Sequence, residues 1–141
     1  MPDRRTHPGA LLLAVPPLIV SVVGLLMSFL VYSVQCDEVC DGGSWRHSAE
    51  GWQWDVVLIL GGSAFVAAVA FVVCVWRSRP AGALAALLVG TIAFVGELSW
   101  VEPDWAEHVA RHHAAMLLGV AAFVSGIVSV TVVSRDAREA K

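Results

Sequence analysis

Long apolar runs, separated by short polar breaks, occupy most of the chain. Their spacing predicts four helices, over residues 10–34, 55–76, 81–101 and about 105–134, because each run approaches the roughly 20 apolar residues that a helix needs to cross a bilayer core. Backbone polar groups in lipid must be satisfied within the segment or within a closed barrel. The runs lack the period-two alternation of barrel strands, so helices are the expected solution. The fold class predicted is all-α and integral to the membrane: one four-transmembrane-helix bundle over residues 1–141, with an outer loop at 35–54 and two shorter connections. Pro16 and Pro17 fall early in the first run, and proline is accepted in a first turn but kinks a helix interior. Either the spanning helix begins near Pro16, with "GALLLAV" as an interfacial lead-in, or a kinked helix runs from Gly9. The kinked form is the expectation, since Pro17 to Val34 alone is only just long enough to cross.

Composition agrees with the pattern. Of 141 residues, 57% are apolar and 15% charged, against about 25% charged in ordinary soluble domains. Mean hydropathy is +0.72. Cations then set the orientation. Arg4 and Arg5 precede the first run, Arg77 and Arg79 separate the second from the third, and Arg135, Arg138 and Lys141 follow the fourth, while only Arg46 and Arg111 fall on the other side. Both termini are thus expected in the cytoplasm of a cell with a multi-pass protein in its membrane. Eight arginines to one lysine, with abundant Ala and Val, suit a GC-rich bacterial genome. The first run has a basic start but is long for a signal-peptide core and closes without a small-x-small site, so it is expected to stay as a helix. "YSVQ" before Cys36 lacks the small residue that would precede a lipidated cysteine.

Small residues mark the faces expected to meet protein. Gly82, Ala86, Gly90 and Ala93 form a stripe on the third helix, and Ala115, Gly119, Ala122, Gly126 and Ser129 form another on the fourth. Such stripes let membrane helices approach closely where hydrophobicity cannot distinguish lipid from protein.

Continued outward, the first stripe reaches Glu97 and the second reaches His112 and then His108. Asp104 and Glu107 stand at N-cap and N3 spacing, which would start the fourth helix and set His108 and His112 one turn apart on one face. Three readings follow. The groups clasp the outer helix ends, with Glu97 meeting His112. Glu97, His108 and His112 hold a divalent cation such as zinc, histidines at i and i+4 being a suitable ligand spacing. Or the group exchanges protons near neutral pH, as histidine can. An ionisable residue inside a span is a functional candidate in each case.

Cys36 and Cys40 lie in the outer segment, where oxidation favours a short disulfide closing the loop. Four helices with cysteines in an outer loop are similar to the layout of quinone-linked thiol oxidases and vitamin K epoxide reductases. Here, however, the spacing is Cys-x3-Cys where those enzymes use Cys-x2-Cys, and no second outer pair is present to relay electrons. Cys74 is expected to be a packing residue. Trp45, Trp52, Trp54, Trp100 and Trp105 gather at outer helix ends, as in an interfacial aromatic belt.

Nine of the twelve acidic residues fall outside, among them Asp37, Glu38, Asp41, Glu50 and Asp55. The resulting field would concentrate cations and repel nucleic acid. Phosphate-binding glycine loops, nucleophile elbows and helix-borne zinc-protease motifs are missing from the sequence. The expected function is that of a small non-enzymatic tetraspan subunit in contact with the lipid bilayer. It self-associates as a homo-oligomer or docks a membrane partner protein, and presents an acidic, disulfide-closed outer cap that conducts or senses cations. A thiol-disulfide oxidoreductase using Cys36 and Cys40, and an immunity or accessory membrane protein, are the alternatives.

Overall fold

A computed structural model describes residues 8–40, 51–100 and 106–139, with side chains over 8–29, 55–99 and 113–139. Four α-helices account for these residues apart from one turn: α1 (Pro8–Cys40), α2 (Gly51–Trp76), α3 (Pro80–Trp100) and α4 (Ala106–Glu139). Each contains a stretch long and apolar enough to cross a membrane, namely Pro8–Phe29, Asp55–Trp76, Pro80–Ser99 and His113–Glu139. Successive helices pack side by side, α4 closes the ring against α1, and the diagonal pairs scarcely touch. The protein is a four-helix membrane bundle.

Two helices run further than the apolar pattern implies. α1 continues past Val34 to Cys40, because nothing in "QCDEVC" breaks a helix and the first glycines follow only at Gly42 and Gly43. The connection to α2 is therefore residues 41–50, shorter than the 35–54 loop expected. α4 continues to Glu139, its exposed last turns carrying an i,i+4 ion pair of Arg135 and Glu139 at 3.2 Å.

The helices are apolar all round, as spans facing lipid must be. Alanines are frequent among the buried positions, alongside a few large side chains. Leu12, Ile59, Ile92 and Leu117 face outward, whereas Ala10, Ala14 and Ala83 join Phe71, Val75, Leu87, Val130 and Val133 in the core. That core fills the half of the bundle nearer the α2–α3 turn.

Glycines on the seams set the helix registers. A Cβ on Gly126 would lie 2.7 Å from Leu87 Cδ1, and one on Gly119 would lie 2.5 Å from Phe94 Cε1, so α3 side chains sit in hollows of α4. Between α2 and α3, Gly82 rests on Cys74 and Gly90 on Ala67, with corresponding distances of 3.0 and 3.3 Å. Ala86 is half-buried, Ala93 and Ala122 are buried, and Ala115 is half-buried.

α1 is one helix through Pro16 and Pro17. Pro17 has no N–H to offer the Leu13 carbonyl, and in lipid that acceptor needs a substitute. Ser125 of α4 supplies it, donating its hydroxyl to the Leu13 oxygen at 2.8 Å. One turn along, the fully buried Ser129 donates to the Ala10 oxygen at 2.8 Å. This end of the bundle is closed by the α2–α3 turn. There Arg79 N–H bonds the Cys74 carbonyl at 2.8 Å and Ser78 N–H bonds that of Val75 at 3.0 Å, with Ser78 at φ 52°. This is the paired bonding of a Schellman C-cap, and Pro80 starts α3 directly after it.

Candidate functional site

The half of the bundle away from that turn holds a carboxylate. The α2–α3 register that seats Gly82 on Cys74 and Gly90 on Ala67, followed toward the end of α3, brings Glu97 to Gly61. A Cβ there would lie 2.9 Å from Glu97 Oε1 and 3.5 Å from Oε2. On α1, a Cβ at Gly24 would lie 3.5 Å from Oε2. The two glycines thus form a hollow that a larger residue on either helix would fill.

One turn along α1 from Gly24, the buried Ser28 donates its hydroxyl to Glu97 Oε1. The second carboxyl oxygen, Oε2, has no hydrogen-bond partner among the described residues. Glu97 is only 4% exposed, although it lies within one turn of the end of α3. Its neighbours explain this burial: α1 continues from Ser28 to Cys40 and α2 begins at Gly51, about 15 Å of helix before Gly61. Both therefore extend well past the level of the carboxylate.

Glu97 accordingly points to α1 and α2, on the side where its stripe meets α2, and not toward α4. The α3 residue that reaches α4 at this level is Phe94, whose ring lies between Gly24 and Gly119. The described partner of Glu97 is Ser28, reached on the side where the glycine hollows of α1 and α2 leave room; the expected clasp with His112 falls on a side chain outside the described residues. The side chains of His108 and His112 lie outside the described residues, as do those of Cys36 and Cys40. The backbone puts the two cysteines one turn apart on the end of α1 and lends no support to a disulfide between them. Cys74 is a half-buried free thiol.

Among the described residues, no three His, Cys, Asp or Glu side chains gather as a metal site. The two histidines of the expected zinc site, His108 and His112, lie outside the described side chains, and the described groups at Glu97 are one carboxylate and one hydroxyl. They suffice to accept and release a proton at Oε2. The residues that sequence reasoning missed are Ser28, Gly24 and Gly61. Their signal is present in the chain as small stripes, Ser21, Gly24 and Ser28 on α1 and Gly61, Ala64 and Ala68 on α2, continuous with the faces that bury.

Comparison of the chain with protein-family models, with curated proteins and with solved structures finds no match.

Proposed function

We propose that the protein is a non-catalytic membrane subunit whose bundle responds to a cation, that cation being the proton, through Glu97. The observation that carries this reading is the Oε2 of a buried carboxyl within a membrane span, which has no hydrogen-bond partner among the described residues. Such a group is costly in apolar surroundings, and a leucine or methionine would pack the same hollow without that cost. Its neighbours make it a natural switch point. Ser28 and Gly24 belong to α1 and Gly61 to α2, so a change in the charge of one carboxyl alters the attraction among three helices at once. The acid-rich outer segments around Asp37, Glu38, Asp41 and Glu50 support the reading by concentrating cations near this end of the bundle. The subunit's output is a shift in how α1 and α2 sit against α3, read by a second copy or by a membrane partner.

The test is hydrogen exchange of the protein in nanodiscs across a pH series, corrected for the intrinsic rate, in wild type and Glu97→Gln. The expected result is a pH-dependent step in protection of the α1 and α2 amides near Gly24 and Gly61 that the variant lacks. The same step in both proteins would overturn the proposal.

A further inference from the structure

Between the core and the Glu97 end lies an apolar cavity of about 200 Å³ with walls from all four helices. Its floor is made by α1 and α2, including Val20, Ser21, Ala64 and Ala68, all buried or half-buried. The exposed wall residues are Val95 and Ser99 of α3 and Met116 and Val120 of α4. The mouth is therefore the α3–α4 seam, which is the most sparsely packed of the four neighbouring pairs. It opens sideways, into the bilayer, and not along the bundle axis into water.

The chemistry of the walls selects the occupant. Three hydroxyls reach the cavity, and each commits its one proton to its own helix: Ser21 to the Leu18 carbonyl at 2.8 Å, Thr91 to that of Leu87 at 2.8 Å, and Ser99 to that of Val95 at 2.7 Å. Water needs two to four polar partners to settle in a cavity, and an apolar cavity of about 150 Å³ in a protein core stays dry and takes hydrocarbon. This one is larger, equally apolar, and bordered by lipid. Room for an occupant comes from the small wall residues Ala64, Ala68, Ala86 and Ala122.

We infer that the cavity is a binding site for a hydrocarbon chain that enters from the bilayer through the α3–α4 seam. The acyl tail of a phospholipid and the tail of an isoprenoid share the chemistry required, and the site holds the tail while the polar head stays at the membrane surface. The inference is independent of the role given to Glu97, whose carboxyl faces α1 and α2 and is not among the cavity walls.

The experiment uses the whole protein in phosphatidylcholine nanodiscs containing either a phospholipid with a diazirine near the end of one acyl chain or a diazirine-bearing isoprenyl alcohol. After irradiation, the labelled residues are mapped by mass spectrometry. Ile92 and Leu117, exposed on the outer surface and not part of the walls, report general lipid contact. Ala68 and Ser21, buried on the floor, report entry. The inference expects floor labelling by at least one probe, and the probe that labels identifies the source of the tail. It further expects that Val120→Trp, a change at an exposed mouth position, abolishes floor labelling and leaves Ile92 labelled, while Leu117→Trp changes neither. Labelling confined to the outer surface with both probes would overturn it, and so would floor labelling that survives Val120→Trp unchanged.

Discussion

Replacing Ser28 by alanine removes the one hydrogen bond that Glu97 makes among the described residues and leaves the rest of the hollow in place. Hydrogen bonds to ionised groups contribute about 1.5–3 kcal/mol in soluble proteins. Bonds between membrane helices average about 0.6 kcal/mol and reach about 1.7 kcal/mol. Ser28 is buried and its partner has no substitute donor among the described residues, so a value near the upper membrane limit, about 1.5 kcal/mol, is expected. The same Ser28→Ala change in a Glu97→Met background removes a hydroxyl that no longer has a carboxyl to bond, and is expected to cost less than about 0.5 kcal/mol. The difference, about 1 kcal/mol, is the coupling between the two side chains. Glu97→Met alone should be neutral or stabilising, as replacing a poorly compensated buried charge by an apolar residue of similar size often is. Reversible unfolding in mixed micelles, followed by circular dichroism for all four proteins, measures these quantities. Equal costs of Ser28→Ala in the two backgrounds, or a loss of several kcal/mol from Glu97→Met alone, would refute the placement of Glu97 against α1.

Three further outcomes follow from the packing. Ser125→Ala leaves the Leu13 carbonyl beside Pro17 without a donor and should lower stability by about 1 kcal/mol, whereas Ser63→Ala, whose hydroxyl bonds only its own helix on an exposed face, should change it by less than about 0.5 kcal/mol. Gly119→Ala and Gly126→Ala press a methyl into Phe94 and Leu87 and should each cost about 1–3 kcal/mol by overpacking, while Gly62→Ala, with open space around it, should stabilise α2 by about 0.5–1 kcal/mol. Ser78→Gly relieves a positive-φ residue in the α2–α3 turn and should raise stability by about 0.5–1 kcal/mol. A shift of the unfolding midpoint checks each.

Number and type of helices are plain in the sequence because the bilayer imposes one length and one solution to backbone hydrogen bonding. Their ends are less so. Nothing in hydropathy marks that α1 goes on to Cys40, since a helix leaving the bilayer needs no apolar residues, only the lack of a breaker. Glu97 stands out as an ionisable residue near a span end, but its partner does not. Position 97 continues the small-residue stripe of α3, and two neighbouring helices compete for any such stripe. The choice is made by the α2–α3 turn, whose tight cap fixes the register that carries Gly61 to Glu97. The role of Ser125 is hidden for a similar reason. Pro17 announces an orphaned carbonyl, yet only the closed ring of helices shows that α4 supplies the donor.

The most direct test of the central claim, that Glu97 is a buried proton-exchanging group, is infrared difference spectroscopy of the protein in nanodiscs during a pH titration, with wild type compared to Glu97→Gln. A carboxylic acid and a carboxylate have separate stretching bands. A buried, titrating Glu97 gives a single carboxylic-acid band from a water-poor environment that is exchanged for a carboxylate band across the titration and is missing from Glu97→Gln. Identical difference spectra for the two proteins, with every titrating carboxyl assigned to the exposed acids, would contradict it.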